Sequence, residues 1–354
     1  MRWIFLLPLA LVVSACGSSR GLQADVPPAF PFEPTFVESV AGERVRMVEV
    51  GPTGPAPPGG PDVVFMHGIP TSLYLWRNVL PTVAADARVV AFDLPGYGES
   101  DLPAGGDYGY GALAERTDAV LDRLADRSPA GRLVLVVNDL GSILGLDWAA
   151  RNPDRVAGVA LAEAVYMPTR AWHDQISGLQ QATFWMFGSG AVGRQMTTRA
   201  GTLYRTFLRI GVERRLDDAA REVYLAPYAA GRGAGAADWA ERRRVVYDGP
   251  GPATIMDGDW DAPVPDDPDH ITGVMNRTAA ALAAMDDVPF LLLYAEPGVI
   301  VNEGGLRYAR DHFERLSVVR MRAGHFMPED NPRKVADAVL GWYRRDVLGQ
   351  RSDP

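Results

Sequence analysis

Short runs of Val, Leu, Ala and Phe recur along this chain, with helical stretches between them. Asp62–Met66 (DVVFM), Arg88–Phe92 (RVVAF), Arg132–Val137 (RLVLVV) and Val156–Ala162 (VAGVALA) are four such runs, bounded by turn-forming or polar residues. A run that is apolar at almost every position suits a strand buried on both faces. Such strands pair in parallel, with helices covering the sheet. The stretches Tyr110–Ala125 and Ser142–Asn152 read as helices between them, and Thr35–Val40 and Arg44–Val50 as a strand pair around Ala41-Gly42.

After Val156–Ala162 the alternation stops. Met167–Met285 is rich in Trp, Met, Phe and Arg, carries a Pro/Asp/Gly-rich loop at Asp248–Asp269, and has little strand character. The pattern returns with Val288–Tyr294, a helix near Asn302–Arg315, a strand at Ser317–Met321 and a helix from about Pro332 to Leu348. The expected fold is α/β, a mostly parallel eight-stranded sheet with helices on both faces. Residues 35–166 form the first part of its core, 167–285 a helical cap insertion and 286–348 the second part.

The first residues read as an export signal. Arg2 precedes the apolar run Trp3–Val13, which is too short to span a bilayer. Val13-Ser14-Ala15-Cys16 resembles a bacterial lipobox, whose Cys becomes the lipidated first residue, and Cys16 is the only Cys in the chain. The expectation is a lipoprotein-type signal over 1–16, a flexible tether over 17–34, and a membrane-anchored protein facing the periplasm or cell surface. A plain cleaved signal peptide is the alternative. The net charge of −9 argues against nucleic acid as a partner. With one Cys, five scattered His and no phosphate-cradling glycine loop, the sequence implies no cofactor and no metal.

In an open parallel sheet, chemistry sits at the carboxyl ends of the strands. Three such ends carry suggestive residues. Val137-Asn138-Asp139-Leu140-Gly141-Ser142 follows a strand and opens a helix, in the form small-x-nucleophile-x-Gly with Asp139 in the nucleophile's place. A carboxylate there can attack carbon and form an ester that water then hydrolyses; an Asp that merely caps the helix is the plainer reading. Ser142 lacks that frame. Glu163 ends the run Val156–Ala162, and His325 lies in Ala323-Gly324-His325-Phe326 after the last strand. Nucleophile, acid and His in this order suit a triad in which His325 activates water and Glu163 orients the imidazole. His67-Gly68-Ile69-Pro70 follows the strand Asp62–Met66, and the Ile69 and Leu140 backbone N–H groups are candidates for an anion hole.

Taken together, His67–Pro81 (HGIPTSLYLWRNVLP), Phe92–Ser100 (FDLPGYGES), Val137–Ala150 (VNDLGSILGLDWAA), Arg151–Arg155, Val288–Val301 (VPFLLLYAEPGVIV) and Gly324–Pro332 (GHFMPEDNP) resemble the haloalkane dehalogenases of the α/β-hydrolase superfamily. Tyr224–Tyr228 (YLAPY) resembles a motif of their helical cap. The resemblance implies an α/β-hydrolase fold, Asp139 as nucleophile, His325 as base and Glu163 as acid, with Glu296 the stand-in for the acid position of another subgroup. It implies a small apolar organic substrate, with water as co-substrate.

Two positions depart from that family. Its members hold the departing halide with an Asn side chain in the turn and a Trp indole after the nucleophile, where this chain has Ile69 and Leu140. Each charge-assisted hydrogen bond contributes about 1.5–3 kcal/mol, so losing two slows departure by orders of magnitude. Trp172 and Trp185 are candidate replacement donors or pocket lining, and Tyr224 and Tyr228 are candidate pocket residues. An epoxide hydrolase shares the Asp–His–acid machinery and needs only backbone N–H groups and a cap Tyr, for which Tyr204, Tyr224 and Tyr228 are candidates. A non-catalytic surface lipoprotein that keeps the fold is the remaining alternative.

Overall fold

The computed structural model describes residues 30–54, 59–178, 190–199, 202–229, 239–248 and 270–350. Eight strands form one sheet: β1 (Thr35–Glu38), β2 (Arg44–Val50), β3 (Asp62–Met66), β4 (Val89–Phe92), β5 (Leu133–Asp139), β6 (Val156–Ala164), β7 (Phe290–Pro297) and β8 (Leu316–Ala323). Their order is β1-β2-β4-β3-β5-β6-β7-β8. β1 and β2 pair antiparallel, as do β2 and β4, and the remaining pairs are parallel. This is the mostly parallel α/β sheet expected from the apolar runs.

Alternate residues of each central strand enter opposite apolar layers. Leu133, Leu135 and Val137 pack on one face of the sheet, and Val134 and Val136 on the other. The first layer holds apolar residues of α1 (Tyr110–Arg127), α2 (Leu140–Arg151), α3 (Thr169–Gln175), α4 (Thr202–Ile210), α6 (Trp239–Asp248) and α7 (Ile271–Ala283); α5 (Asp218–Leu225) lies against the second. α8 (Glu303–His312) packs in the first layer and α9 (Pro332–Trp342) in the second. Between β6 and β7 the described residues hold helices and no strand.

Three strands run further than their apolar runs. β5 includes Asn138 and Asp139, β6 includes Glu163 and Ala164, and β7 continues to Pro297. Parallel pairing carries on beyond the apolar residues: Asn138 pairs with Ala162 and Asp139 with Ala164, with a register shift between the two. Asp139 and Glu163 therefore sit at the last rungs of neighbouring strands, at the carboxyl edge of the sheet.

Candidate active site

Asp139 is the hinge between β5 and α2. Its backbone has φ 48° and ψ −120°, outside the comfortable region for a residue with a side chain. Such strain costs on the order of 1–3 kcal/mol and persists only where the surroundings enforce it. Here they do: a Cβ built on Gly141 would lie 2.5 Å from the His67 carbonyl oxygen, so only glycine lets α2 start this close to β3. The sharp turn raises the Asp139 side chain above the sheet edge, where 23% of it stays exposed.

Asp139 Oδ1 accepts a hydrogen bond from the Ile69 backbone N–H at 2.7 Å. Oδ2 lies 3.6 Å from His325 Nε2. On the other side of the ring, His325 Nδ1 lies 3.3 Å from Glu163 Oε2. Burial opposes a charge on the imidazole. The Glu163 hydrogen bond and the two carboxylate charges outweigh it, and His325 titrates above its usual 6.5. Glu163, fully buried and at φ 47°, accepts three backbone N–H groups, from Val299 and Ile300 at 2.7 Å each and Val301 at 3.3 Å. The loop after β7 thus solvates its carboxylate. Asp139, His325 and Glu163, read from three separate strand ends, form one chain of contacts.

Glu296, the stand-in for the acid, is exposed and pairs with Arg320 at 2.7 Å. Ser142 Oγ is also engaged structurally, accepting the Val165 N–H at 2.8 Å and donating to the Asp139 carbonyl. His67 is buried as well. It accepts the Leu94 N–H at Nε2, and burial lowers its pKa to about 4, so it stays neutral.

Ile69, Leu140, Trp172, Tyr204 and Tyr228 are all buried in the layer on the α2 face. Tyr204 and Tyr228 stack with ring centroids 4.3 Å apart. Tyr224 is a correction. It packs on the opposite layer, its ring edge-on to Tyr74, and its hydroxyl donates to Glu329 Oε1 at 2.5 Å. Glu329 is in turn held by both Arg77 terminal nitrogens. The hydroxyl is consumed by a buried ion pair, so it is no pocket donor. Trp185 and Cys16 lie outside the described residues.

One residue the sequence reading passed over is Tyr97, within the quoted Phe92–Ser100 segment. Its ring meets that of His67 edge-on at 6.2 Å. Among the described residues, the buried Tyr97 and Tyr228 hydroxyls have no hydrogen-bond partner. Burial raises both phenols' pKa values, and Asp139 and Tyr228 add to the effect on Tyr97. Both remain protonated donors at neutral pH. Only the motif's aromatic among glycines hinted at this, since burial depends on the α6 helix closing over Gly96, where Arg242 donates to the Ser100 carbonyl.

Residues 61–332 match the alpha/beta hydrolase fold family. A haloalkane dehalogenase of Sphingobium indicum is 32% identical over 320 residues, covering 90% of this chain and 97% of that protein. The chain belongs to the haloalkane dehalogenase family of α/β hydrolases. Another family member, from Bradyrhizobium diazoefficiens, is 31% identical over 80% of this chain and 86% of its own. The crystal structure of the haloalkane dehalogenase DbeA from Bradyrhizobium elkani superposes with a TM-score of 0.70 at 28% identity, covering 90% of this chain and 98% of that one. As a haloalkane dehalogenase-like hydrolase, this protein is unusual at Ile69 and Leu140. Neither side chain can donate a hydrogen bond where the family resemblance implies Asn and Trp donors, and the Ile69 backbone N–H is the group seen on the Asp139 carboxylate.

Proposed function

We propose that this enzyme cleaves a carbon–leaving-group bond in a small apolar substrate through a covalent ester on Asp139. The observation that carries this reading is the contact chain from Asp139 through His325 to Glu163, with Asp139 Oδ1 held by the Ile69 N–H. In the first step Asp139 Oδ2 bonds to carbon as the carbon–halogen bond breaks and halide departs. In the second, His325 takes a proton from water, which attacks the Asp139 carboxyl carbon. Oδ1 becomes the oxyanion, held by the Ile69 N–H. The carbon–Oδ2 bond to the carboxyl breaks, and the alkoxide leaves as alcohol with the proton from His325. Glu163 stabilises the imidazolium between the two transfers.

The test is halide release from 1-bromo- and 1-iodoalkanes, with Asp139→Ala as the inactive control. An unchanged rate in Asp139→Ala overturns the mechanism. His325→Phe is expected to accumulate an alkyl adduct on Asp139, visible as added mass.

The buried, unpartnered Tyr97 and Tyr228 hydroxyls favour a second reading, epoxide hydrolysis. A ring-opening oxygen needs a proton or a strong donor, and backbone N–H groups suffice for the ester step. Turnover of styrene oxide with no halide release from any haloalkane selects this reading; the reverse selects the first. We further propose export as a lipoprotein acylated at Cys16. Membrane fractionation of the full chain beside Cys16→Ser tests this, and membrane retention of the variant overturns it.

A further inference from the structure

Asp330 is buried and lies just beyond His325, at the end of the short helical segment Met327–Asp330. Its carboxylate accepts backbone N–H groups from two separate parts of the chain. Oδ2 takes the N–H of Gly324, the residue immediately before His325, at 2.7 Å. The same carboxylate takes the N–H groups of Glu213, at 2.9 and 3.0 Å, and Arg214, at 3.0 Å. Glu213 and Arg214 belong to the insertion between β6 and β7. The two backbones are in direct contact beside it: the Phe326 N–H donates to the Gly211 carbonyl at 2.8 Å. A Cβ on Gly324 would lie 2.7 Å from that oxygen, and one on Gly211 would lie 2.5 Å from the Phe326 ring.

We propose that Asp330 is a positioning residue for His325, and that through it the aim of the base depends on the docking of the helical insertion. The inference rests on the Asp139–His325 reading above. Glu163 fixes the imidazole at Nδ1, but it sets only one end of the ring. The backbone from which His325 projects is set by Gly324, and the Asp330 carboxylate holds Gly324 in register with the Glu213–Arg214 turn. A carboxylate that accepts backbone N–H groups from both sides cannot be replaced by an amide without turning N–H toward N–H. A shift of the loop by about 1 Å is enough to cost roughly 100-fold in a step that needs an aligned water. Such a shift does not touch the attack of Asp139 on substrate carbon, which does not use His325.

The test is Asp330→Asn in the full chain with 1-bromobutane, following adduct formation and its hydrolysis separately by rapid quench and mass spectrometry. The expected result is a burst of bromide at the wild-type rate, then hydrolysis slowed roughly 100-fold with alkyl-Asp139 accumulating. Gly211→Ala approaches the same loop from the insertion side and is expected to show the same split; it also serves if Asp330→Asn does not fold. His325→Phe is run alongside. If it accumulates adduct while both other variants hydrolyse normally, or slow both steps equally, the positioning role of Asp330 is overturned. Where the wild type releases no bromide, styrene oxide replaces 1-bromobutane in the same comparison. If His325→Phe accumulates no adduct from the substrate that the wild type turns over, the Asp139–His325 reading falls, and this inference with it.

Discussion

Gly68 and Asp139 are in van der Waals contact across two strand ends: a Cβ built on Gly68 would lie 2.2 Å from the Asp139 Cβ and 2.3 Å from Oδ1. The glycine leaves room for the nucleophile to rest with Oδ1 on the Ile69 N–H. Gly68→Ala must push the turn or Asp139 aside. A displacement near 1 Å is expected to lower the rate of ester formation about 100-fold or more. Single-turnover halide release measures this, and a wild-type rate would show that the contact is not needed.

Glu163 holds the ring of His325 while three backbone N–H groups hold Glu163. Glu163→Gln removes the charge that stabilises the imidazolium. Ester hydrolysis is expected to slow by about 10²–10⁴, with ester formation kept. Rapid-quench mass spectrometry separates the two steps, and a loss in the first step alone would refute the assignment.

The raised pKa of His325 has two consequences of opposite kind. Folded His325 binds its proton more tightly than the unfolded chain does. It therefore contributes stability that is fully present below about 6.5 and is lost as pH rises through the folded value. The decline is expected to vanish in His325→Phe when urea midpoints are compared across this range. In catalysis the sign differs, because hydrolysis needs the neutral ring. Ester formation also cancels the Asp139 charge, one of the causes of the rise, so the acid limb of hydrolysis should fall at lower pH than His325 titrates by NMR in the free enzyme.

His67 behaves in the opposite sense. Its folded pKa is lowered to about 4, chiefly by burial. Between 6.5 and 4 the unfolded chain takes up a proton that the folded one refuses, so stability falls by up to about 3 kcal/mol as pH drops and then levels off. Urea unfolding of the wild type and His67→Gln across that window checks this; equal slopes would show another group to be responsible.

Tyr224 and Tyr228 should separate cleanly. Tyr224→Phe removes a hydroxyl that serves only Glu329, so turnover should be unchanged and stability lower by about 1 kcal/mol. Arg77→Met leaves the buried Glu329 carboxylate with only the Arg214 guanidinium, at 3.6 Å, and the Tyr224 hydroxyl, and up to about 3 kcal/mol of stability should be lost. Tyr228→Phe deletes an unpartnered hydroxyl. It is expected to lower turnover of an epoxide, if that is the substrate, without comparable loss of stability. Melting curves and steady-state rates on the three variants decide.

The sequence by itself determined the architecture. Short runs apolar at almost every position, alternating with helical stretches, suit strands of a covered parallel sheet, and their order placed Asp139, Glu163 and His325 at three carboxyl edges. Local chemistry also exposed the elbow, because Gly141 follows Asp139 by two positions in a strand–turn–helix frame; that Gly68 leaves room for Asp139, a residue distant in sequence, is visible only in the fold. Contacts between distant segments were another matter. Glu163 and Glu296 both follow apolar runs, and only the pairing of β6 between β5 and β7 sets Glu163 beside His325 while Glu296 points to solvent and Arg320. Tyr224 and Tyr228 share one short motif, yet α5 ends at Leu225 and a tight turn through Pro227 sends their rings into opposite layers. Which layer a side chain enters depends on how that turn docks on the core, and no pattern within the motif carries that information. Asp330 is the same case: its role lies in two backbone segments separated by more than a hundred residues, joined only when the insertion folds onto the sheet.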